Sequence, residues 1–283
     1  MLKIEHVHRR SKRRLAALTA CSLAFLRQRI VLMRIAFVGK GGNGKSTIAG
    51  TSARLLAREG QPVLALDVDT LPGLAFSVGL GGIPDAGLPE ELAERQEGKG
   101  WVMRDEVSAE TLVERYALAA PDGVRFLQLG KLPGQVRPGS TTAFRHVIES
   151  FRAPGWSVVG DLAAGTRQGF FGWAGFASML AIVVEPTQAA LLSARRLRRL
   201  AETMPGTRVG LVINKVRNDT RTRDIQAALQ LPVWAEVPYD EEVADAERAG
   251  LAPIDAAPGS RSVAAIARLV LDLRNSDAEE PTA

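Results

Sequence analysis

The feature that most constrains the fold is the stretch RIAFVGKGGNGKSTIAG at residues 34–50. A short apolar run is followed by a glycine-rich turn and then by residues that favour a helix. The turn matches the pattern G-x-x-x-x-G-K-[ST] from Gly39 to Ser46. Its glycines let successive backbone N–H groups point inward, and the positive end of a helix dipole follows at Lys45. The stretch therefore predicts a strand, a phosphate-binding loop and a helix, in that order.

Most residues of this loop have an expected contact with a nucleotide. Lys45 is expected to reach the β- and γ-phosphates, and Ser46 to ligate Mg²⁺ through its hydroxyl. The other cofactor-binding candidates of the loop are Gly39, Gly41, Gly42, Asn43, Gly44 and Thr47. Lys40 is left unexplained by this scheme, since the loop already has its phosphate lysine.

Beyond the loop, apolar runs alternate with helical segments, which is typical of a parallel sheet covered by helices on both faces. The strand candidates are RIAFV, PVLALD, VRFLQL, WSVVGDL, MLAIVVE, TRVGLVIN and PVWAEVP. The helix candidates are 46–59, 141–151, 188–202, 220–229 and 263–273. The sequence therefore predicts one α/β domain of the P-loop type over residues 33–274, with a doubly wound, mainly parallel sheet.

Two further segments have a distinct composition. Residues 81–122 are glycine-rich and then helical, which indicates an insertion over one edge of the sheet, where specificity for a partner could reside. Residues 275–283 are acidic and are expected to be disordered.

The first 32 residues carry the positive charge of the chain. They hold eight basic side chains and one acidic one, against a net charge of +5 for the whole chain, so the rest is slightly acidic. One interpretation is that translation starts at Met33 and that residues 1–32 are mis-assigned or a disordered extension. The alternative is an arm for a membrane or another anionic surface. A secretory signal fits less well, because Arg27 and Arg29 closely follow a weak apolar run.

Cysteine usage and hydropathy bear on the compartment. Cys21 is the single cysteine, so an internal disulfide is excluded, and the cytoplasm is the expected location. No run approaches the roughly 18 apolar residues that a transmembrane helix requires.

The segment GKGGNGKST resembles the deviant Walker A motif of the MinD/ParA group of ATPases, and the resemblance extends from Met33 to about Leu273. In that group the extra lysine reaches across a nucleotide-sandwich dimer to the phosphates of the partner subunit. The resemblance thus implies that Lys40 is catalytic in trans, together with Lys45. It further implies a homodimer that forms with ATP and Mg²⁺, and slow, partner-stimulated ATP hydrolysis.

Two acidic segments resemble the switch regions of the same group. In LALDVDT, the resemblance implies that Asp69 is catalytic and orients the attacking water, with Asp67 nearer the metal shell. In VVGDLAAGT, it implies that Asp161 holds Mg²⁺ through water and that Gly165 donates its backbone N–H to the γ-phosphate.

Two later segments resemble the base-recognition elements. In LVINKV, the resemblance implies that Asn214 hydrogen-bonds adenine. A GTPase would carry N-K-x-D here, and Arg217 in place of the aspartate favours ATP. The segment VPYDEEVADAERAG resembles the part that packs near the base through Pro238.

Within the group, VVEPT, LLSARRLRRLAE and EVPYDEEV resemble the CooC-like ATPases that help to mature carbon monoxide dehydrogenase. This implies a client protein and a role in metalloenzyme maturation or partner delivery. Homologues of that branch can carry a metal-binding C-x-C pair, but Gln135 and Arg137 stand at about that place here. Neither is a ligand for nickel, zinc or an iron–sulfur cluster, so the metal chemistry is not carried over.

Two alternatives within the group remain. ParA-like ATPases bind DNA in the ATP state, and the arginines of residues 195–199 would supply the basic patch. MinD-like ATPases bind membranes through a C-terminal amphipathic helix, but the helix at 261–275 is followed by acids and is expected to pack on the sheet. Nucleic acid is therefore the less favoured partner, and a membrane is not expected.

Overall fold

The computed structural model describes residues 32–69, 73–82, 87–130, 137–163, 172–217 and 220–279, and within them ten strands and nine α-helices. The strands are β1 (Arg34–Gly39), β2 (Val63–Asp67), β3 (Ala93–Gln96), β4 (Gly100–Met103), β5 (Leu118–Ala119), β6 (Arg125–Gln128), β7 (Ser157–Asp161), β8 (Met179–Val184), β9 (Arg208–Val216) and β10 (Val233–Pro238). The helices are α1 (Lys45–Arg58), α2 (Leu74–Ser77), α3 (Ala109–Tyr116), α4 (Pro138–Ser150), α5 (Gln188–Ala201), α6 (Thr220–Leu229), α7 (Glu241–Arg248), α8 (Pro253–Ala256) and α9 (Arg261–Glu279), with 3₁₀ turns at Glu90–Leu92 and Pro121–Gly123.

Eight strands form the main sheet, in the order β10-β9-β8-β1-β7-β2-β6-β5. Its first seven strands are parallel to their neighbours, and β5 is antiparallel to β6 at the edge. The seven parallel strands are the seven strand candidates of the sequence. The doubly wound α/β fold is thereby confirmed.

The core lies on both faces of this sheet. Along β1, Ala36 and Val38 belong to one buried cluster, whereas Ile35 and Phe37 belong to the other. Helices α3, α4, α5 and α6 cover the first face, and α1, α2 and α9 cover the second. Because both faces are buried, the strands are continuous apolar runs without polar alternation.

The insertion at 81–122 is less helical than the sequence predicts. Its described part contains the antiparallel hairpin β3–β4, the helix α3 and the edge strand β5. The hairpin segment is mostly polar and turns through glycines, so its composition does not distinguish it from a loop. Glu90 attaches this region to α4, since its carboxylate accepts the N–H groups of Gly139 (2.9 Å) and Ser140 (3.1 Å).

The last helix is longer than the sequence predicts. Residues 32–274 form one compact unit, and α9 continues over residues 275–279, where the sequence predicts disorder. No glycine or proline occurs between Arg261 and Glu280, so nothing local ends the helix before Pro281. Residues 1–31 and 280–283 lie outside the described residues, as does Cys21. Among the described helices, none combines the length and apolar composition that a bilayer crossing needs.

A buried arginine connects α1 to two distant parts of the chain. Arg54 is 2% exposed, and its guanidinium pairs with Asp122 (2.6 Å) and with Asp255 (2.9 Å). It also donates to the carbonyl of Val78 (3.1 Å). Arg58, one turn later and 40% exposed, pairs with the same two carboxylates at 2.7 and 2.8 Å. This network fixes the helix that follows the phosphate loop against the insertion and α8.

We expect Arg54→Ala to lower the free energy of unfolding by about 2–4 kcal/mol, because the buried side chain loses charge-assisted hydrogen bonds and packing. Arg58→Ala removes the same charge from the same carboxylates at an exposed position, so its effect should stay below about 1 kcal/mol. Urea unfolding of both variants measures the difference. Equal losses for the two arginines would show that burial of Arg54 contributes nothing.

Candidate nucleotide-binding site

The phosphate loop lies between the end of β1 and the start of α1. Gly44 precedes the helix with a left-handed φ of 83°, and Gly42 has a φ of 84°. A side chain at either position would strain this backbone. Because Gly44 carries no capping side chain, the first N–H groups of α1 are left for an anion. The loop thus has the backbone form that the sequence predicts.

Three predicted residues meet at the base of the loop. Lys45 is buried, and the hydroxyl of Ser46 donates to Asp161 Oδ2. Asp161 ends β7, which lies between β1 and β2 in the sheet. The carboxyl end of that strand therefore places an acidic side chain directly beside the Mg²⁺-ligand candidate of the loop.

Asp67 and Asp69 occupy different positions, although they are two residues apart. Asp67 ends β2 opposite Asp161 and is fully buried. Its two carboxylate oxygens accept the backbone N–H groups of Asp69 (3.0 Å) and Leu74 (3.1 Å). Asp69 is half-buried. Asp67 therefore shapes the turn that carries Asp69, a role that the sequence pattern did not indicate.

The two buried carboxylates are electrostatically strained. Burial raises the pKa of Asp161 to about 6, although Lys45 and the Ser46 hydroxyl favour its ionised form. Burial also raises the pKa of Asp67 well above its usual range, and the charge of Asp161 adds to this shift. Asp161 Oδ1 is buried without a hydrogen-bond partner. A hydrated divalent cation would supply the positive charge and the donor, so these residues fit Mg²⁺.

A cavity lies between α1 and the ends of β9 and β10. Asn214 and Pro238, both predicted to contact the base, line this cavity together with Thr47. The Asn214 amide donates to the backbone carbonyl of Asn43 (2.8 Å), which leaves its Oδ1 as the acceptor for an adenine amino group. The cavity thus joins the phosphate loop to the predicted base-recognition residues.

Glu247 is a site residue that sequence reasoning missed. It lies on α7, lines the same cavity, and accepts a hydrogen bond from the hydroxyl of Thr47. A carboxylate at this place can accept hydrogen bonds from ribose hydroxyl groups. The segment VPYDEEVADAERAG was noted for Pro238, but it contains several acids, and only the fold shows that Asp240 and Glu247 line the cavity.

Arg217 lies over the ring of Tyr239, with its guanidinium carbon 3.6 Å from the ring centroid. Tyr239 lines the base cavity. The residue at the position of the guanine-reading aspartate is therefore a cation stacked at the cavity wall.

Lys40 lies on the exposed side of the loop, next to the exposed Gly41 and Gly42. Among the residues that the structure describes, Lys40 has no ion-pair partner and its ammonium has no hydrogen bond. Gly165, the predicted γ-phosphate donor, lies outside the described residues, and so does Gln135.

The comparisons with known proteins agree with this geometry. A family model of the CobQ/CobB/MinD/ParA nucleotide binding domain matches residues 35–254, which include the loop, both acidic strand ends and most residues that line the cavity. The chain belongs to this family. The family that was recognised from the sequence is thus confirmed.

Two relatives of this MinD/ParA-family chain cover most of its length. An uncharacterised ATP-binding protein of Methanocaldococcus jannaschii is 29% identical over 86% of this chain and 100% of its own. The carbon monoxide dehydrogenase accessory protein CooC of Rhodospirillum rubrum is 28% identical over 82% of this chain and 93% of its own. The chain is therefore similar to CooC over most of the length of both proteins.

Solved structures share the fold. A ParA family ATPase from Chlorobium tepidum has a TM-score of 0.66 and 19% identity, covering 86% of this chain and 99% of its own. The septum site-determining protein MinD of Pyrococcus horikoshii, solved with Mg-ADP, has a TM-score of 0.66 and 17% identity, covering 89% and 100%.

The raised pKa of Asp161 predicts how stability depends on pH without Mg²⁺ and nucleotide. The carboxyl ionises near pH 4 in the unfolded chain and at about 6 in the folded protein, so the folded state loses stability as the pH rises between these values. Asp161→Asn cannot ionise. We expect the stability of this variant relative to the wild type to increase by about 1–2 kcal/mol between pH 5 and pH 8.

Urea unfolding at the two pH values measures this change, with Asp105→Asn as an exposed carboxylate control. A stability difference between Asp161→Asn and the wild type that does not change with pH would contradict the strained carboxylate.

Proposed function

We propose that this chain binds ATP with Mg²⁺, hydrolyses the ATP slowly, and uses the cycle as a dimerisation switch. ATP binding is supported by the loop, by the adjoining cavity, and by similarity to several ATP-binding proteins. ATP is preferred to GTP because Asn214 supplies the amide that faces the base, while Arg217 replaces the guanine-reading aspartate and stacks on Tyr239.

The proposed chemistry divides among a few residues. Lys45 and the first N–H groups of α1 bind the β- and γ-phosphates, and Ser46 with Asp161 holds Mg²⁺, in part through water. The bound Mg²⁺ neutralises charge on the phosphate oxygens. Asp69 holds the attacking water, and Asp67 fixes the turn on which Asp69 lies. Asp67, which ends the neighbouring strand opposite Asp161, also belongs near the metal shell.

The observation that carries the switch is Lys40. Its side chain is exposed, it has no ion-pair partner within the described residues, and it lies beside the phosphate loop. A lysine in this setting is available to the phosphates of a second, facing subunit, where its charge stabilises the transition state. Hydrolysis then depends on dimer formation, and the dimer on bound ATP.

The proposed setting is the cytoplasm, with an unidentified client protein as the partner. Similarity to the accessory protein CooC supports a role in metalloenzyme maturation or in partner delivery. Within the described residues, no group of three or more His, Cys, Asp or Glu side chains could hold a metal ion.

A second candidate function is a ParA- or MinD-like positioning ATPase that binds DNA or a membrane in its ATP state. One observation favours DNA: Arg195, Arg196 and Arg199 are exposed together on α5. An electrophoretic shift of DNA that requires ATP and fades steeply with salt would support this alternative, whereas no shift at low salt would exclude it.

The switch is tested by the molar mass of residues 33–283 in solution. In Asp69→Ala, which should bind ATP without hydrolysing it, light scattering should give a dimer with ATP and a monomer with ADP or without nucleotide. Adding Lys40→Ala should weaken this dimer about tenfold or more, because the charge that reaches the partner's phosphates is lost.

Lys99→Ala is the matched control, since it removes an exposed lysine from the β3–β4 turn. It should leave the ATP-dependent dimer unchanged. A monomer under all conditions, or equal effects of the two lysine variants, would refute the switch.

A further inference from the structure

The carboxyl end of β9 departs from regular strand geometry at Lys215. Its φ is 57°, in the left-handed region that non-glycine residues rarely adopt. The pairing of β9 with β10 shifts register at the same place, between the partners Glu236–Ile213 and Pro238–Val216. Consecutive side chains of a regular strand point to opposite faces. The irregularity at Lys215 removes this alternation.

As a result, two consecutive side chains of β9 hold two consecutive carbonyls of the phosphate loop. The Asn214 amide donates to the carbonyl of Asn43 (2.8 Å), and the Lys215 ammonium donates to the carbonyl of Gly42 (2.7 Å). The ammonium is also paired with Glu185, directly after β8, at 2.7 Å. Lys215 therefore connects the loop to the ends of two strands.

These contacts converge on the turn that begins with Lys40. The N–H of Asn43 donates to the carbonyl of Lys40 (3.2 Å), which closes the turn from Lys40 to Asn43. The Asn43 amide donates to the carbonyl of Val183 (2.9 Å), the penultimate residue of β8. The inner end of the turn is thus held by Asn43, while its exposed middle, Gly42, is held by Lys215.

We propose that Lys215 is a positioning residue: with Glu185 it holds the Lys40 turn in the orientation that presents Lys40 to a second subunit. This inference rests on the proposed function, in which Lys40 acts across a dimer. Without the bond to Gly42, the glycine pair Gly41 and Gly42 leaves the turn free to rotate. The Lys40 ammonium would then have to be ordered during association, which weakens the dimer.

The test compares dimerisation with nucleotide binding in the Asp69→Ala background. Lys215→Met keeps the apolar stem and removes the ammonium. We expect the dissociation constant of the ATP-bound dimer to rise about tenfold or more. Lys215 also lines the base cavity, but its ammonium is bonded to Gly42 and Glu185, so the affinity of the monomer for ADP should change less than about threefold. Sedimentation measures the first quantity, and titration with fluorescent ADP the second.

Three further variants complete the design. Lys215→Arg keeps a charged donor and should therefore retain most of the dimer affinity that Lys215→Met loses. If Lys215 acted only through the packing of its apolar stem, the charge would make no difference. Glu185→Gln should weaken the dimer in the same direction without changing Lys215 itself. Lys99→Met, at an exposed turn, should change neither quantity by more than about twofold.

Each outcome decides the question. Loss of dimer affinity at unchanged ADP affinity, with rescue by arginine, supports the positioning role. Parallel loss of both affinities, or no loss in either, overturns it, because Lys215 then acts on the nucleotide or on nothing. If Lys215→Met does not fold, Glu185→Gln decides alone by the same criterion. If Asp69→Ala itself forms no dimer with ATP, the proposed function fails and this inference fails with it.

Discussion

The alignment of three parallel strands, β1, β7 and β2, is the constraint on which the rest of the site depends. Their carboxyl ends meet at one edge of the sheet. The phosphate loop (residues 39–46), Asp67 and Asp161 therefore lie side by side, although they are far apart in the sequence. Because each strand is buried on both faces, its register is fixed by packing and its end cannot shift. The fold thereby delivers three chemical groups to one place.

This arrangement is unfavourable for the protein without its ligands. Two carboxyl groups are buried next to each other, and burial raises the pKa of both Asp67 and Asp161. Among the described residues, Lys45 and backbone or hydroxyl donors offset their charge. Such strain at a strand end is the pattern expected where a cation and phosphates bind, because the ligands supply the missing compensation. Stability and function are therefore in conflict at this edge of the sheet.

Much of the fold and part of the site could be predicted from local patterns. The seven parallel strands are apolar runs, and the phosphate loop is a contiguous motif, so both are visible in the sequence alone. Asp67, Asp161 and Asn214 could be found because each ends or closely follows such a run. What the sequence predicts here is the end of a strand, and the parallel topology then brings the ends together.

The remaining features depend on contacts between residues distant in the chain. Arg54 pairs with Asp122 and Asp255, which are 68 and 201 residues away. The pattern of apolar and polar residues along the sequence does not indicate contacts over such distances. Glu247 is one acid among several on an exposed helix, and only its position in the folded protein shows that it lines the cavity. The left-handed backbone at Lys215 follows from the register of β9 and β10, which sequence patterns do not specify.

The central claim, that Lys40 acts on the other subunit, is tested most directly by mixing two inactive variants and measuring ATP hydrolysis. Lys40→Ala lacks the lysine and keeps Asp69, whereas Asp69→Ala keeps the lysine. In a mixed dimer the Lys40→Ala subunit has its own Asp69 and receives Lys40 from its partner. At concentrations that saturate dimer formation, an equal mixture should regain up to about a quarter of the wild-type rate, since at most about half of the dimers are mixed and each holds one complete site. No recovery above the separate variants would place Lys40 in its own site and contradict the account.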